Sequence, residues 1–202
     1  SKNKVNEKSK KFTLNPYAYT KLLAEKYIIK KLSLSKFSKY IILRYFNVVG
    51  ADYTNNLGQS KNNGTLFKNL SRAILKKKSK INLYGNKFNT PDGSCVRDFI
   101  DVRDLAYIHK KILLAMNKKN KSNIFNCGYS KGYTVLQTIE EFEKISKKKI
   151  VIKVLKKRKN EIVYSVADNK KLNNFIKWKP KYNSLKKMIN SSILWEKKLR
   201  QG

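Results

Sequence analysis

Alternating helix and strand patterns along the chain predict an α/β fold. Three observations carry this. Tyr40 to Phe46 (YIILRYF) is an apolar, aromatic run of strand length between polar turns, the pattern of a buried strand. Helix-spaced apolar residues recur elsewhere, at Leu66, Leu70, Ala73 and Ile74 and again at Leu185, Met188, Ile189 and Ile193. Cap chemistry marks two helix starts, Asn15-Pro16 and the box Thr134-x-x-Gln137.

Each element follows in order. Residues 1–12 form a basic segment that reads as disordered over about its first ten positions. Asn15 and Pro16 then open a helix from Tyr17 to about Leu32, and the strand at 40–46 follows. Residues 52–64 are polar, rich in Asn and Gly, and too many for a mere connector. A helix over Leu66 to Leu75 leads to a short strand, Ile81 to Tyr84, closed by Gly85. Val96 to Val102 alternates as a strand, and Asp101 caps a helix to about Met116. Ile124 to Asn126 is a strand. The Thr134 box opens a helix to about Ser146. Ile150 to Leu155 is a strand, Asp168 caps a short helix toward Phe175, and the last helix carries Leu185 to Ile193 on one face.

The 202 residues suffice for one domain, or a small domain plus part of another. No apolar run approaches the ~20 residues of a bilayer span, and no apolar stretch follows the basic N-terminus as in a secretory signal. Cys95 and Cys127 fit no metal or redox spacing, so a reduced, cytoplasmic protein without a metal is expected. The net charge of +34 raises nucleic acid as a partner. Only six of the 47 basic residues are Arg, however, and Lys is spread along the whole chain, with runs such as Lys76 to Lys80. The charge therefore reads as solvated surface, and neither a specific nucleic acid nor a membrane is expected.

Tyr17 and Lys21 lie one helical turn apart, where an ammonium favours the phenolate of a general base. The spacing alone is common here: Tyr27, Tyr107 and Tyr182 also have Lys four residues on. Asn47 closes the strand at 40–46, where ligands of open α/β sheets sit, though Asn is equally a turn residue. Arg97 offers a fork for phosphate oxygens that Asp98 could orient; the plainer reading is a surface ion pair. Cys127 and the lone His109 have no evident partner in sequence and read as structural.

The order and spacing of LNPYAYTK (14–21), LRYFNVVGA (43–51), TPDGSCVRDFIDVRDLA (90–106) and KRKNEIVYSVAD (157–168) resemble the extended short-chain dehydrogenase/reductase family. Within it they look like the UDP-glucose 4-epimerases. The resemblance implies the C-terminal part of a Rossmann-type doubly wound sheet plus a smaller α/β substrate-binding domain. Residues 13–52 would belong to the NAD-binding unit and 53–202 mainly to the UDP-sugar unit, some segments packing back on the first. It implies NAD as cofactor, a UDP-sugar as substrate and a homodimer.

By the same resemblance Tyr17 is the catalytic base and Lys21 binds the nicotinamide ribose, with Tyr45 and Phe46 facing the nicotinamide. Asn47, Thr65 and Leu66 lie at the diphosphate, and Asn82, Leu83 and Tyr84 form the strand that cradles uracil. Arg97 and Arg158 hold the pyrophosphate. Glu161 stands where the family has an Asp on the ribose. Ser165 takes the place of a residue that gates the sugar pocket, and its small size leaves room for a 2-acetamido group. Thr65 and Lys68 depart from the family's usual His or Asn and Pro. The Gly-rich dinucleotide motif is not among the 202 residues. The expectation is thus a C-terminal portion, inactive alone, with its N-terminal half encoded separately or lost. The implied activity is NAD-dependent C4 epimerisation of UDP-glucose and UDP-galactose, extending to the N-acetyl sugars. The alternatives are a related UDP-sugar epimerase or dehydratase and a non-catalytic basic remnant that binds polyanions.

Overall fold

The computed structural model describes residues 4–35, 38–60, 64–76, 79–119 and 121–201. Lys77 and Lys78 of the basic run at 76–80 lie outside them. The elements in chain order are α1 (Pro16–Ser33), β1 (Ile41–Tyr45), β2 (Asn47–Val49), α2 (Leu66–Ile74), β3 (Lys80–Tyr84), β4 (Val96–Asp101), α3 (Val102–Lys119), β5 (Asn123–Cys127), β6 (Gly132–Thr134), α4 (Val135–Ser146), β7 (Val151–Leu155), β8 (Tyr164–Ser165), α5 (Lys170–Ile176) and α6 (Leu185–Lys198).

The α/β class holds, with strands gathered in three groups. β1 and β5 pair in parallel, Ile41 opposite Asn123 through Tyr45 opposite Cys127. β4 is the hub of a second sheet, parallel to β2 and β8 and antiparallel to β6. β3 and β7 form a third, parallel pair. Parallel neighbours require crossovers, which is why helices separate them in sequence.

Helix starts follow their chemistry. Asn15 accepts the Ala18 N–H at 2.8 Å, and Pro16 takes the first helical position. Thr134 accepts the Gln137 N–H while the Gln137 side chain accepts the Thr134 N–H, a complete capping box. Buried side chains from α2, β4, α3, β5, α4 and α6 meet in one core. Phe67 sits 4.8 Å from Phe99 and 5.3 Å from Phe142, between ring centroids. Leu70, Ile100, Ile108, Met188 and Ile189 are fully buried around them. Each such burial contributes roughly 1.5–3 kcal/mol, so α2 and α6 are fixed by their apolar stripes.

The structure corrects three expectations. The N-terminal segment is docked from Val5 onward rather than disordered. Val5 donates to the Val166 carbonyl and accepts the Asp168 N–H, both at 2.8 Å, and the Glu7 carboxylate accepts the Asn126 N–H. Asn169, not Asp168, is the cap residue of α5, although the Asp168 carboxylate accepts the Lys170 N–H at 3.0 Å. β2, β6 and β8 were not expected as strands. At three residues or fewer they carry no periodicity and exist by pairing with β4. Among the described residues no helix is long and apolar enough to cross a membrane.

Candidate functional site

A cleft of about 850 Å³ opens between α2, β3, β4 and the segment after β7. Its wall brings together Asn47, Thr65, Leu66, Asn82, Leu83, Tyr84, Arg97, Arg158 and Glu161, drawn from five separate stretches of sequence. Ser165 is not part of this wall; it lies beside it, opposite Arg97 in the β4–β8 register. Sequence reasoning missed Arg72, Lys76, Lys80 and Cys95, which also line the cleft. A signal existed for two of them. Leu66, Asn69, Arg72, Ala73 and Lys76 follow a three-to-four-residue spacing, so the face of α2 that carries Leu66 carries Arg72 and points on to Lys76 just past the helix end.

The two arginines are held differently. Arg97 pairs with Glu161 through one contact, Nη2 to Oε1 at 2.7 Å, and its Nη1 donates to the Val96 carbonyl at 2.9 Å. Its pairing with Asp98 does not occur. Successive strand residues point to opposite faces, so Asp98 turns inward while Arg97 faces the cleft. There Asp98 is fully buried and accepts the backbone N–H groups of Tyr129, Ser130 and Ala167 at 2.9–3.1 Å. Burial still pushes its carboxyl up to about 6, against those three donors. Arg158 is exposed and stacks on Tyr84, its guanidinium carbon 3.9 Å from the ring centroid. Asn47 is braced by donating from Nδ2 to the Asp98 carbonyl at 2.9 Å. A pair of guanidinium groups beside an aromatic face and β-strand backbone suits an anion joined to a planar ring.

Comparison with known proteins decides the family. The profile of the NAD dependent epimerase/dehydratase family matches residues 2–128. The chain belongs to this family. It is 31% identical over 199 residues to the UDP-glucose 4-epimerase of Azospirillum brasilense, covering 98% of this chain and 57% of that one. It is 33% identical over 190 residues to the UDP-glucose 4-epimerase of Lactobacillus helveticus, again spanning 57% of the relative. Among solved structures it is similar to the Stenotrophomonas maltophila UDP-glucose-4-epimerase with bound NAD and formylated UDP-arabinopyranose. There the TM-score is 0.92 at 25% identity, over 98% of this chain and 59% of that one. The UDP-Glc/GlcNAc 4-epimerase of Campylobacter jejuni gives a TM-score of 0.79 at 34% identity, over 96% and 59%. The chain thus spans under three-fifths of the length of each of these four.

NAD is the cofactor of this epimerase family, as the bound neighbours show. The residues expected at its nicotinamide end lie on α1 and at the end of β1 or just beyond it. Tyr17 is 71% exposed on α1, and the Lys21 ammonium lies 5.4 Å from its ring centroid. Yet Lys31 over Tyr27 and Lys111 over Tyr107 repeat that geometry at 5.8 and 5.6 Å. Pair geometry therefore does not single out Tyr17, which lies two residues beyond the Asn15 cap on α1. Tyr45 is half exposed at the end of β1 and packs edge-on against His109, the residue read from sequence as lacking a partner. His109 Nδ1 is 2.8 Å from the Leu105 carbonyl, so that nitrogen carries the proton. Nε2 then accepts from the Tyr45 hydroxyl at 2.8 Å. Cys127 is buried, and burial pushes its thiol up to about 12, which makes it inert packing.

Proposed function

We propose that the chain is the UDP-sugar-binding portion of a UDP-glucose 4-epimerase that also handles the N-acetyl sugars. The observation that carries this reading is the cleft, which gathers two arginines, the β3 strand and Asn47 on one wall. Arg97 and Arg158 hold the diphosphate, Asn82 to Tyr84 the uracil and Glu161 the ribose, so that the sugar alone is free to turn. Tyr17 takes the proton of the sugar 4-hydroxyl, with Lys21 beside it one helical turn on. NAD, when bound, supplies the redox chemistry at C4. The 202-residue chain alone does not turn over. The whole protein works in the cytoplasm as a homodimer. Two unpaired, buried thiols suit a reducing compartment, and Leu23, Tyr27 and Ile28, exposed on α1, offer surface for a further domain or a second copy.

The cleft lies wholly within this chain, so UDP alone tests it. Calorimetry is expected to show UDP binding, weakened in Arg97→Ala and in Arg158→Ala. Losing a charge-assisted contact costs roughly 1.5–3 kcal/mol, or about ten- to a hundredfold in affinity. Equal affinity in all three proteins would end the assignment.

The sugar end is tested in a chimera that joins the chain to the N-terminal half of a relative. Ser165 is small, so the chimera is expected to accept UDP-N-acetylglucosamine as well as UDP-glucose. Ser165→Tyr is expected to lower kcat/KM for the acetamido sugar alone, by about tenfold or more, since overfilling a pocket costs typically ~1–3 kcal/mol. An unchanged ratio would show that Ser165, which lies outside the cleft wall, is no gate. Product analysis with UDP-arabinose distinguishes the sibling activity, since relatives of that name also match.

A further inference from the structure

Lys68, the departure from the family's proline noted above, is 5% exposed. Its ammonium pairs with the carboxylate of Glu196, itself 3% exposed, on α6. Arg72 Nε stands 3.8 Å from the other oxygen of Glu196. Helix stability does not account for the pair. Lys68 is the third residue of α2 and Glu196 the third from the end of α6. Each charge thus sits at the helix end where the macrodipole disfavours it. Buried ion pairs also add little to net stability, and their better-attested use is to fix one arrangement over others.

What the pair fixes is visible in its remaining contacts. Lys68 Nζ donates to the Gln59 carbonyl at 2.6 Å, and Trp195 Nε1 donates to the same oxygen at 2.9 Å. Gly58 lets the backbone approach this closely: a Cβ there would lie 2.7 Å from the Trp195 ring. The Gln59 side chain in turn accepts from Thr65 Oγ1 at 2.9 Å. Thr65 is in the wall of the nucleotide cleft, whereas Lys68, Gln59, Trp195 and Glu196 line a separate cavity of about 260 Å³ on the other side of α2.

We propose that Lys68 is a positioning residue for UDP-sugar binding, holding Gln59 through its buried pairing with Glu196 and so setting Thr65 at the cleft wall. It rests on the cleft being the UDP site. Lys68 touches no ligand; it acts through Gln59.

Calorimetry with UDP and thermal unfolding of the 202-residue chain test this together. Lys68→Met or Glu196→Leu alone leaves one buried charge without its partner, so each is expected to lower Tm sharply. The double variant removes both charges and is expected to recover most of the Tm, yet to bind UDP about tenfold more weakly. A purely structural pair predicts instead that affinity returns with Tm. Trp195→Phe removes the second donor to Gln59 and keeps a benzene ring; it is expected to weaken UDP several-fold with a smaller loss of Tm than either single charge variant, and it decides the matter should the double variant not fold. Wild-type affinity in the stable double variant or in Trp195→Phe overturns the positioning role alone. No UDP binding by the wild type overturns the cleft reading, and the proposal with it.

Discussion

Tyr17→Phe, in a chimera completed with the N-terminal half of a relative, is expected to lower kcat by about 10²–10⁴-fold, the usual loss on removing a general base. The substitution deletes one oxygen from a side chain that is 71% exposed on α1, so fold and UDP affinity should be untouched. The controls are internal. Tyr27 and Tyr107 have the same lysine spacing and nearly the same ring-to-ammonium distance. If the phenol–ammonium pair were sufficient, all three would be equivalent. Tyr27→Phe and Tyr107→Phe are expected to keep near wild-type kcat. Steady-state kinetics with UDP-glucose check this, and a crippled Tyr27 or Tyr107 variant would move the base elsewhere.

These four tyrosines also show what the sequence could and could not convey. A local spacing is legible, and three of the four pairs form a cation–π contact. Tyr182 instead faces Lys187, and it packs against Arg103, which Asp101 grips through both oxygens. Local chemistry was legible generally. The Asn15 cap, the Thr134 box and the apolar stripes of α2 and α6 follow from neighbours within one turn. Long-range partners were not. In the stretch from Thr90 to Ala106 only Cys95, Arg97 and Phe99 line the cleft. Its acids turn inward: Asp98 binds backbone at residues 129, 130 and 167, and Asp104 accepts from Tyr129 Oη and from the N–H groups of Lys181 and Tyr182. No spacing rule reaches across 25 to 78 residues. The motif thus meets the cleft through Cys95, Arg97 and Phe99, while Asp98 and Asp104 tie its strand and helix to distant backbone.

Asp98→Ala follows from that division, and its expected effect on stability is the largest. The carboxylate ties β4 to the turn after β5 and to the segment after β8 through three backbone N–H groups. Gly128 packs against it so closely that a Cβ would lie 2.6 Å from Oδ2. Each buried donor left unmade costs roughly 1–3 kcal/mol. Relief from burying the carboxylate offsets part of this, so the net loss is expected at about 3 kcal/mol or more, a large share of the ~5–15 kcal/mol typical of a domain. The pH dependence carries a definite sign. The folded chain holds the Asp98 proton up to about 6, above the ordinary carboxyl value of 3.8. Between those values the folded state binds more protons than the unfolded one, so the contribution of Asp98 is complete below that window and declines as pH rises through about 6. Urea unfolding of wild type and Asp98→Ala should therefore show a gap wider at pH ~4.5 than at ~7.5, by about 2 kcal/mol. A gap that widens with pH instead would mean that the three N–H donors outweigh burial and hold the carboxylate ionised throughout.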